Sequence, residues 1–451
     1  MKSMEKQSSV FGLHSTKVLT EQGLRDATIV IDNGIISAIE NGRINVAGFL
    51  VEELGDLVVM PGIIDSHVHI NEPGRTEWEG FETITKAAIA GGITTLVDMP
   101  LNSSPVTITA EAFHQKLDAA QDKLYCNCGF WGGVVPGNID KLEELIKSGV
   151  LGIKAFLTHS GIDEFPNVTV SDLKAAMPIL AKYNIPLLAH AELDEIHPGI
   201  KLFEQNPESY KAYLASRPKE WEDKAVEMLI SLCEEFDSPV HIVHLSSANS
   251  IEKIRAAKAK GLPLTVETCP QYLYYNAEDI PDANTLFKCA PPIREKANNE
   301  KLWKALKDGI IDFIVTDHSP ATPELKQIES GNLKEAWGGI ASIQFSLPVV
   351  WTKAKEHGFT ISDIASWMSA AVAGFIRQKN KGKIKKGYDA DLVVWDPEQQ
   401  FTVKKEMIHY RHKISPYIGE HLYGVVKQTY VNGKKVYENG SFISLPQGKI
   451  Y

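Results

Sequence analysis

The middle of the chain alternates short apolar runs with stretches whose apolar residues recur at helical spacing. Eight such runs follow one another: Gly62 to His67, Gly92 to Asp98, Cys126 to Val135, Leu151 to Leu157, Pro186 to Ala191, Val240 to Leu245, Leu262 to Glu267 and Ile311 to Asp317. Apolar residues at i, i+3 and i+4 between them predict helices, for example over 172–182, 221–235 and 250–260. Eight strands alternating with helices predict an α/β fold, a closed (β/α)8 TIM-type barrel. A doubly wound open sheet is the alternative, but no glycine-rich phosphate-binding turn opens a helix.

The two ends of the chain share a different pattern. Apolar and polar residues alternate from about Lys17 to Glu40 and again from about Ala390 to Tyr437, with Asn-Gly turns at Asn33-Gly34 and Asn432-Gly433. Asn-Gly between alternating segments predicts hairpins. We therefore expect both termini to build one small flanking β-sandwich domain, with these boundaries: 1–57 and 371–451 for the small domain, and 58–370 for the barrel.

Composition narrows the possible partners. Of the 451 residues, 43% are hydrophobic and 23% are charged, as in ordinary globular proteins. A net charge of −10 argues against nucleic acid and against an anionic membrane as partners. The segment from Met1 to Val10 is polar, and no apolar run approaches the ~18 residues of a membrane span. Five cysteines in so long a chain do not make a disulfide framework, so we expect Cys126 and Cys128 to be buried thiols of a cytoplasmic protein.

Two histidines one residue apart follow the first apolar run. Because strand side chains alternate between faces, His67 and His69 point the same way and can share a metal ion. In a parallel barrel the reactive groups lie at the carboxyl ends of the strands. Four further runs carry polar residues at or near their ends: Lys154, His190, His244 and Asp317. A buried polar group needs a partner, and a metal ion is one.

Each of these residues has a purely structural interpretation when taken alone. His190 fits a hydrogen-bonded core histidine, and Asp317 fits a helix cap or a turn residue. His241 and His244 lie three apart on one strand, so only one can join a site, and we favour His244 because it is nearer the strand end. We expect His318 to face away from Asp317 and either to support the metal ligands from behind or to have a structural role. The agreement of five strand ends makes a metal site the stronger interpretation.

Lys154 stands in an otherwise apolar strand, Gly152 to Phe156. A buried ammonium without a partner is costly. If carbon dioxide carbamylates its amine, the side chain becomes a carboxylate-like ligand that can bridge two divalent cations.

Together these motifs resemble the amidohydrolase superfamily, in the cyclic amidohydrolase branch with dihydroorotases, hydantoinases and allantoinases. The resemblance covers nearly the whole chain and includes Gly382 to Val393 in the flanking β domain. It implies two divalent ions per subunit, and imidazole and carboxylate ligands suit zinc, manganese or cobalt. It implies these ligands: His67, His69 and Asp317 for the more buried ion, His190 and His244 for the more exposed ion, and N6-carboxylated Lys154 as a bridge, together with a hydroxide.

The same resemblance implies a hydrolase that opens a cyclic amide with that hydroxide, and it assigns the catalytic proton transfers to Asp317. It also implies a homo-oligomer, a tetramer. No ligand position is missing, which speaks against the noncatalytic relatives of this branch and so against a metal-free scaffold protein.

The residues after the histidine pair bear on the substrate. Dihydroorotase-like proteins carry an arginine two residues after the second histidine, where it pairs with the substrate carboxylate, and this chain has Asn71 there. An amide cannot neutralise a carboxylate but can hydrogen-bond a small neutral cyclic ureide. Arg75 is a second candidate for a carboxylate, although we expect it to form a structural ion pair with Glu72 or Glu79.

Four segments resemble allantoinases most closely: Asn71 to Phe81, Ser160 to Pro166, Lys288 to Arg294, and Trp337 to Ile340. The resemblance implies hydrolysis of allantoin to allantoate, with loop groups as substrate contacts. These contacts would be Asn71, Ser160, Cys289 and Gly338. A hydantoinase or dihydropyrimidinase is the first alternative, and a dihydroorotase the second. The polar segment from Thr322 to Ala336 is a candidate mobile lid.

Overall fold

Eight parallel strands follow one another in sequence order around a barrel. The computed structural model describes residues 10–451, so most of the polar segment from Met1 to Val10 lies outside the described residues. The barrel strands are Ile63–Val68, Ile93–Asp98, Asn127–Phe130 continued by Gly132–Gly133, Ile153–Phe156, Leu187–His190, Val240–Ile242, Leu264–Thr268 and Phe313–Ile314. Their residues are almost all buried, as expected for a parallel sheet covered by helices.

The barrel closes between its last and first strands. Val68 and His318 form a parallel bridge, and the His69 N–H donates to the His318 carbonyl oxygen at 2.9 Å. The third strand is interrupted at Trp131, so that Asn127–Phe130 pairs with the second strand and Gly132–Gly133 with the fourth. The predicted (β/α)8 barrel is confirmed.

Helices surround the strands, and the predicted helical segments 172–182, 221–235 and 250–260 match them to within one or two residues at each end. Val170–Tyr183 illustrates the local signals: it begins with a capping box between Thr169 and Asp172 and ends at Asn184 in the left-handed conformation. The α-helices are Phe81–Ala90, Ala110–Ala120, Leu142–Lys147, Val170–Tyr183, Pro198–Gln205, Tyr210–Ser216, Lys219–Phe236, Ile251–Ala259, Pro270–Tyr274, Lys296–Lys307, Ser346–Glu356, Ile361–Ala365 and Ala371–Phe375. No helix in residues 10–451 combines the length and the apolar character needed to cross a membrane.

Strands from both chain ends form a second, nine-stranded sheet. Its strands are Val10–Thr20, Gly23–Asp32, Ile35–Asn41, Val51–Glu53, Val58–Pro61, Leu392–Thr402, His421–Val431, Lys434–Glu438 and Ser441–Phe442. The two Asn-Gly turns connect antiparallel neighbours, as predicted. The flanking β domain built from both termini is thereby confirmed. Its division from the barrel at residues 57 and 371 stays a prediction, and Val58–Pro61 pairs inside the terminal sheet.

One residue, Gly62, joins this sheet to the first barrel strand. The Gly62 N–H donates to the Asp391 carbonyl oxygen at 2.8 Å, and a Cβ atom at this position would lie 2.3 Å from the Thr94 side chain. The close approach of the second barrel strand therefore requires glycine here. The chain passes from the terminal sheet into the strand that carries His67 without a loop.

Candidate metal centre

The polar residues predicted at the strand ends meet at the carboxyl end of the barrel. There they line a cavity of about 310 Å³, a volume at the small end of ligand pockets. All six predicted metal ligands are buried and line this cavity: His67, His69, Lys154, His190, His244 and Asp317. Burying so many ionisable groups together would be costly unless a ligand or an ion satisfied them.

The donor atoms fall into two clusters. Asp317 Oδ1 lies 3.2 Å from His67 Nε2 and 3.4 Å from His69 Nε2. In the second cluster, His190 Nδ1 lies 3.0 Å from His244 Nε2. His67, His244 and Asp317 also offer ligand atoms that all lie within 4.8 Å of one another. These clusters hold the residues predicted for the two ions, and their imidazole and carboxylate donors fit divalent transition metals.

Lys154 is the unusual member of the group. Its amine is buried and has no hydrogen-bond partner among residues 10–451, although Glu267 and Asp317 lie close enough to act on its charge. Burial lowers the pKa of the Lys154 amine to about 8. An orphaned amine in the wall of the same cavity as the predicted histidine ligands fits a side chain that could be completed by carbon dioxide and then contribute carboxylate oxygens.

The pKa shifts of four predicted ligands favour the protonation states that metal binding needs. Burial lowers the pKa of the His67, His190 and His244 imidazoles, which favours the neutral form. Burial also acts to raise the pKa of Asp317, but His67 and His69 outweigh it and the pKa is lowered. Asp317 is therefore a carboxylate at neutral pH.

Three residues around the site hold left-handed backbone conformations. The φ angles are 39° at His244, 49° at Asp317 and 67° at Asn71. Non-glycine residues in this region cost about 1–3 kcal/mol each and persist only where the surroundings impose them. For His244 and Asp317 the strain turns the side chain toward the cavity just after a barrel strand has ended.

Glu267, on the seventh strand, contacts three histidines, two through their rings and one through its backbone N–H. Its Oε1 contacts His67 Nδ1, its Oε2 accepts a hydrogen bond from His241 Nε2 at 2.9 Å, and the His244 N–H donates to Oε1 at 3.2 Å. A carboxylate on one imidazole nitrogen fixes the tautomer and leaves the other nitrogen free for a metal. The sequence interpretation missed this role, although Glu267 ends the seventh apolar run.

Replacing Glu267 by glutamine should weaken metal binding about 10- to 100-fold, because the amide no longer fixes His67 as firmly as the carboxylate does. Competition with a chelator, followed by metal analysis, measures this change. The matched control is Glu52→Gln, which alters a carboxylate bonded to Gln428, Tyr430 and Lys435 in the terminal sheet. Wild-type metal affinity in Glu267→Gln would contradict the role assigned to Glu267.

Two other ligand histidines have fixed partners. Glu192 Oε2 lies 2.7 Å from His190 Nε2, and Arg217 pairs with the same carboxylate at 2.5 Å. Asn102 Nδ2 lies 3.1 Å from His69 Nδ1. Glu192 is two residues from His190, so the alternation of side chains along a strand could have predicted that the two lie on the same face. Nothing in the sequence pattern singled out Asn102.

The predicted substrate contacts divide into two pairs. Ser160 and Gly338 line the cavity, whereas Asn71 and Cys289 do not. Asn71 is buried behind the cavity and donates weakly to the Pro320 carbonyl oxygen at 3.4 Å. A contact through the Asn71 or Cys289 side chain is thus not supported by the cavity lining, because both side chains are buried in the surrounding wall.

The ion-pair prediction for Arg75 is wrong. Arg75 pairs with Glu164 at 2.7 Å, across the mouth of the barrel, and not with Glu72 or Glu79. Glu72 is instead engaged by Lys123. The loops after the first and fourth strands approach each other there, a contact that local spacing cannot indicate.

Two structural predictions near the eighth strand have clear outcomes. His318 Nδ1 accepts hydrogen bonds from the N–H groups of Ser342 and Ile343 at 2.9 and 3.2 Å, so its structural role is confirmed. The candidate lid, Thr322 to Ala336, folds as a series of turns, and its residues Leu325 and Glu335 line the cavity. Its mobility stays a prediction.

Cys126 and Cys128 are buried free thiols, as predicted.

Comparisons with known proteins agree with this site. The model of the amidohydrolase family matches residues 58–436. An allantoinase from Arabidopsis thaliana is 44% identical over 459 residues, covering 96% of this chain and 89% of its own length. An allantoinase from Streptomyces avermitilis is 45% identical and covers 97% of both chains.

A solved L-hydantoinase (dihydropyrimidinase) from Arthrobacter aurescens superposes with a TM-score of 0.92 at 28% identity, covering 98% of this chain and 99% of that one. The likeness in fold therefore extends to the terminal sheet as well as the barrel. The chain belongs to the amidohydrolase family and, within it, groups with the allantoinases.

Proposed function

We propose that this protein hydrolyses the cyclic amide bond of allantoin and releases allantoate. One observation carries the proposal: a complete set of six ligand residues surrounds one small cavity, in a chain 45% identical to an allantoinase over nearly its whole length. The substrate is a neutral cyclic ureide, and the loops that line the cavity include Ser160 and Gly338. We therefore assign the protein to allantoin degradation.

The ligand residues prepare the site for hydrolysis. Bound by this set, two divalent ions would supply an activated water at neutral pH and would polarise the scissile carbonyl. Asp317 is a carboxylate placed among the ligands, so it can accept a proton from the attacking water. Asp317 then gives this proton to the departing amide nitrogen as the C–N bond breaks. The product gains a carboxylate and a free amide end.

The finer features of the metal site belong to the same proposal. We assign N6-carboxylated Lys154 as the bridge between the ions because its buried amine has no other partner among the described residues. Zinc is the assigned metal, with manganese or cobalt as the alternatives that the same ligands accept. Metal analysis after purification without chelators should find two ions per chain.

Ring opening of four substrates in parallel tests the proposed reaction. The metal-loaded protein should open allantoin with a kcat/KM well above its values for hydantoin, dihydrouracil and dihydroorotate. Preference for hydantoin or dihydrouracil would favour the second candidate function, which the fold of the Arthrobacter aurescens L-hydantoinase supports. Preference for dihydroorotate would assign the substrate carboxylate to a cation such as Arg75. If the purified protein binds no metal and opens none of the four rings, it is a scaffold protein.

We further propose that the protein works as a cytoplasmic homotetramer. The five free cysteines, Cys126, Cys128, Cys233, Cys269 and Cys289, suit a reducing compartment. The tetramer rests on the family resemblance alone. Light scattering of the purified protein and fractionation of its native cells measure these two properties.

A further inference from the structure

A buried lysine joins two loops that form one wall of the cavity. Lys326 is only 4% exposed, and its ammonium donates to three backbone carbonyl oxygens, those of Lys288 at 3.0 Å, Trp337 at 2.9 Å and Gly339 at 2.5 Å. An ammonium has three N–H donors, so all of them are used. Within residues 10–451, Lys326 forms no ion pair with a carboxylate.

Lys288 makes the reverse connection between the same loops. Its ammonium donates to the carbonyl oxygens of Ala336 at 2.5 Å and Lys334 at 3.2 Å. Lys288 follows the seventh barrel strand, whereas Lys326 follows the eighth. The two side chains therefore cross between the loops, and the residues of both loops line the cavity at Lys288, Ala290, Trp337 and Gly338.

The carbonyl contacts of Lys326 fix the direction of two N–H groups. In a trans peptide, the carbonyl and the following N–H point in opposite directions. The Trp337 carbonyl points at Lys326, so the Gly338 N–H points away from it, and the same holds for the Lys288 carbonyl and the Cys289 N–H. Neither N–H has an acceptor in residues 10–451.

Gly338 stands beside open space on the cavity wall. Gly338 lines the cavity, and a Cβ atom built there would meet no atom within 4 Å. Cys289 lies between two cavity-lining residues, Lys288 and Ala290. Its own carbonyl oxygen accepts from the Tyr213 hydroxyl at 2.6 Å, which holds the other end of the residue. Two unused backbone donors thus stand on the wall that Lys326 braces.

We propose that Lys326 is a positioning residue that holds the Cys289 and Gly338 N–H groups ready to hydrogen-bond the oxygens of the substrate. The proposal rests on the hydrolysis of allantoin, or of another cyclic ureide, at this site. A buried ammonium without a carboxylate partner is costly, and here three backbone carbonyl oxygens offset that cost.

The Lys326→Met variant tests the proposal, because methionine keeps the length of the side chain and removes the donors. We expect the KM for allantoin to rise about tenfold or more, as for the loss of one or two substrate hydrogen bonds, while kcat changes by less than threefold. Metal content should stay at the wild-type level. A KM within twofold of the wild-type value would overturn the proposal.

The matched control is Lys381→Met. Lys381 is equally buried and pairs with Asp389 at 2.8 Å and with Asp391, beside the terminal sheet and away from the cavity. This variant should lower the melting temperature and leave the KM unchanged. A purely structural role for Lys326 would give the same pattern as the control, namely a lower melting temperature without a change in KM.

Hydrogen exchange on the unmodified holoenzyme tests the donors even if Lys326→Met fails to fold. Saturating allantoate should slow exchange at the Cys289 and Gly338 amides, and unchanged exchange at both would overturn the proposal. If the wild type opens a different ring, the proposed reaction fails separately. The KM comparison and the exchange measurement are then made with that substrate and its product, and the same outcomes decide the role of Lys326.

Discussion

The Lys154→Ala variant should lose about 10³-fold or more in kcat/KM for allantoin and should no longer hold two metal ions. The Lys154 amine, the only polar group of that side chain, has no hydrogen-bond partner among the described residues, and it lines the same cavity as the predicted histidine ligands. Without the proposed N6-carboxylate the site would lose a bridging anion, and with it several kcal/mol of the transition-state stabilisation that the ions would supply. Metal analysis and steady-state kinetics measure both losses.

Chemical rescue separates the bridging role from a packing defect. Alanine leaves a space in which formate or acetate can stand in for the missing carboxylate, so short acids should restore part of the activity. Lys154→Met fills that space and should not respond to the acids. Two bound ions and wild-type turnover in Lys154→Ala would show that the bridging role is wrong.

The Asp317→Asn variant should keep the fold and lose about 10²- to 10⁴-fold in kcat, the usual contribution of a positioned proton-transfer group. Asparagine has nearly the same shape but cannot accept the proton of the attacking water. The variant also removes a negative charge beside His67 and His69, so the metal affinity should fall as well. Kinetics at saturating metal separate these two effects.

The control for Asp317→Asn lies at the opposite end of the same strand. Asp312 pairs with Lys258 at 2.6 Å and accepts from the Val266 N–H at 2.7 Å. Asp312→Asn should cost about 1 kcal/mol of stability and leave kcat within twofold of the wild type. An Asp317→Asn enzyme with unchanged kcat would remove Asp317 from the proton path.

The order of strands and helices could be predicted from the sequence because a buried parallel strand is a local apolar run. The ends of the strands were harder to predict from the sequence. The run from Val240 to Leu245 predicts a strand through His244, whereas the strand ends at Ile242 and His244 adopts a left-handed conformation. Strand alternation correctly separated His241 from His244, although the direction of the His244 side chain comes from a backbone turn that alternation does not describe.

The partners that lie far apart in the sequence were the part that could not be predicted. Glu267 lies 200 residues from His67, and Glu164 lies 89 residues from Arg75. Such pairs depend on which strands face each other around the closed barrel and on how far each loop reaches. Lys326 was not predicted as a site residue, because its three acceptors are backbone oxygens, which the sequence does not distinguish.

The pairing of Val58–Pro61 bears on how the protein is made. This strand directly precedes the barrel strand that carries His67. Its neighbours in the sheet are Val10–Thr20 on one side and Leu392–Thr402 on the other. A ribosome therefore finishes the whole barrel sequence before the second neighbour exists. During that time one edge of Val58–Pro61 is unpaired, and such an edge is prone to mispairing. The terminal sheet, which continues into the barrel strand that carries His67, can therefore be completed only after Leu392–Thr402 has been translated.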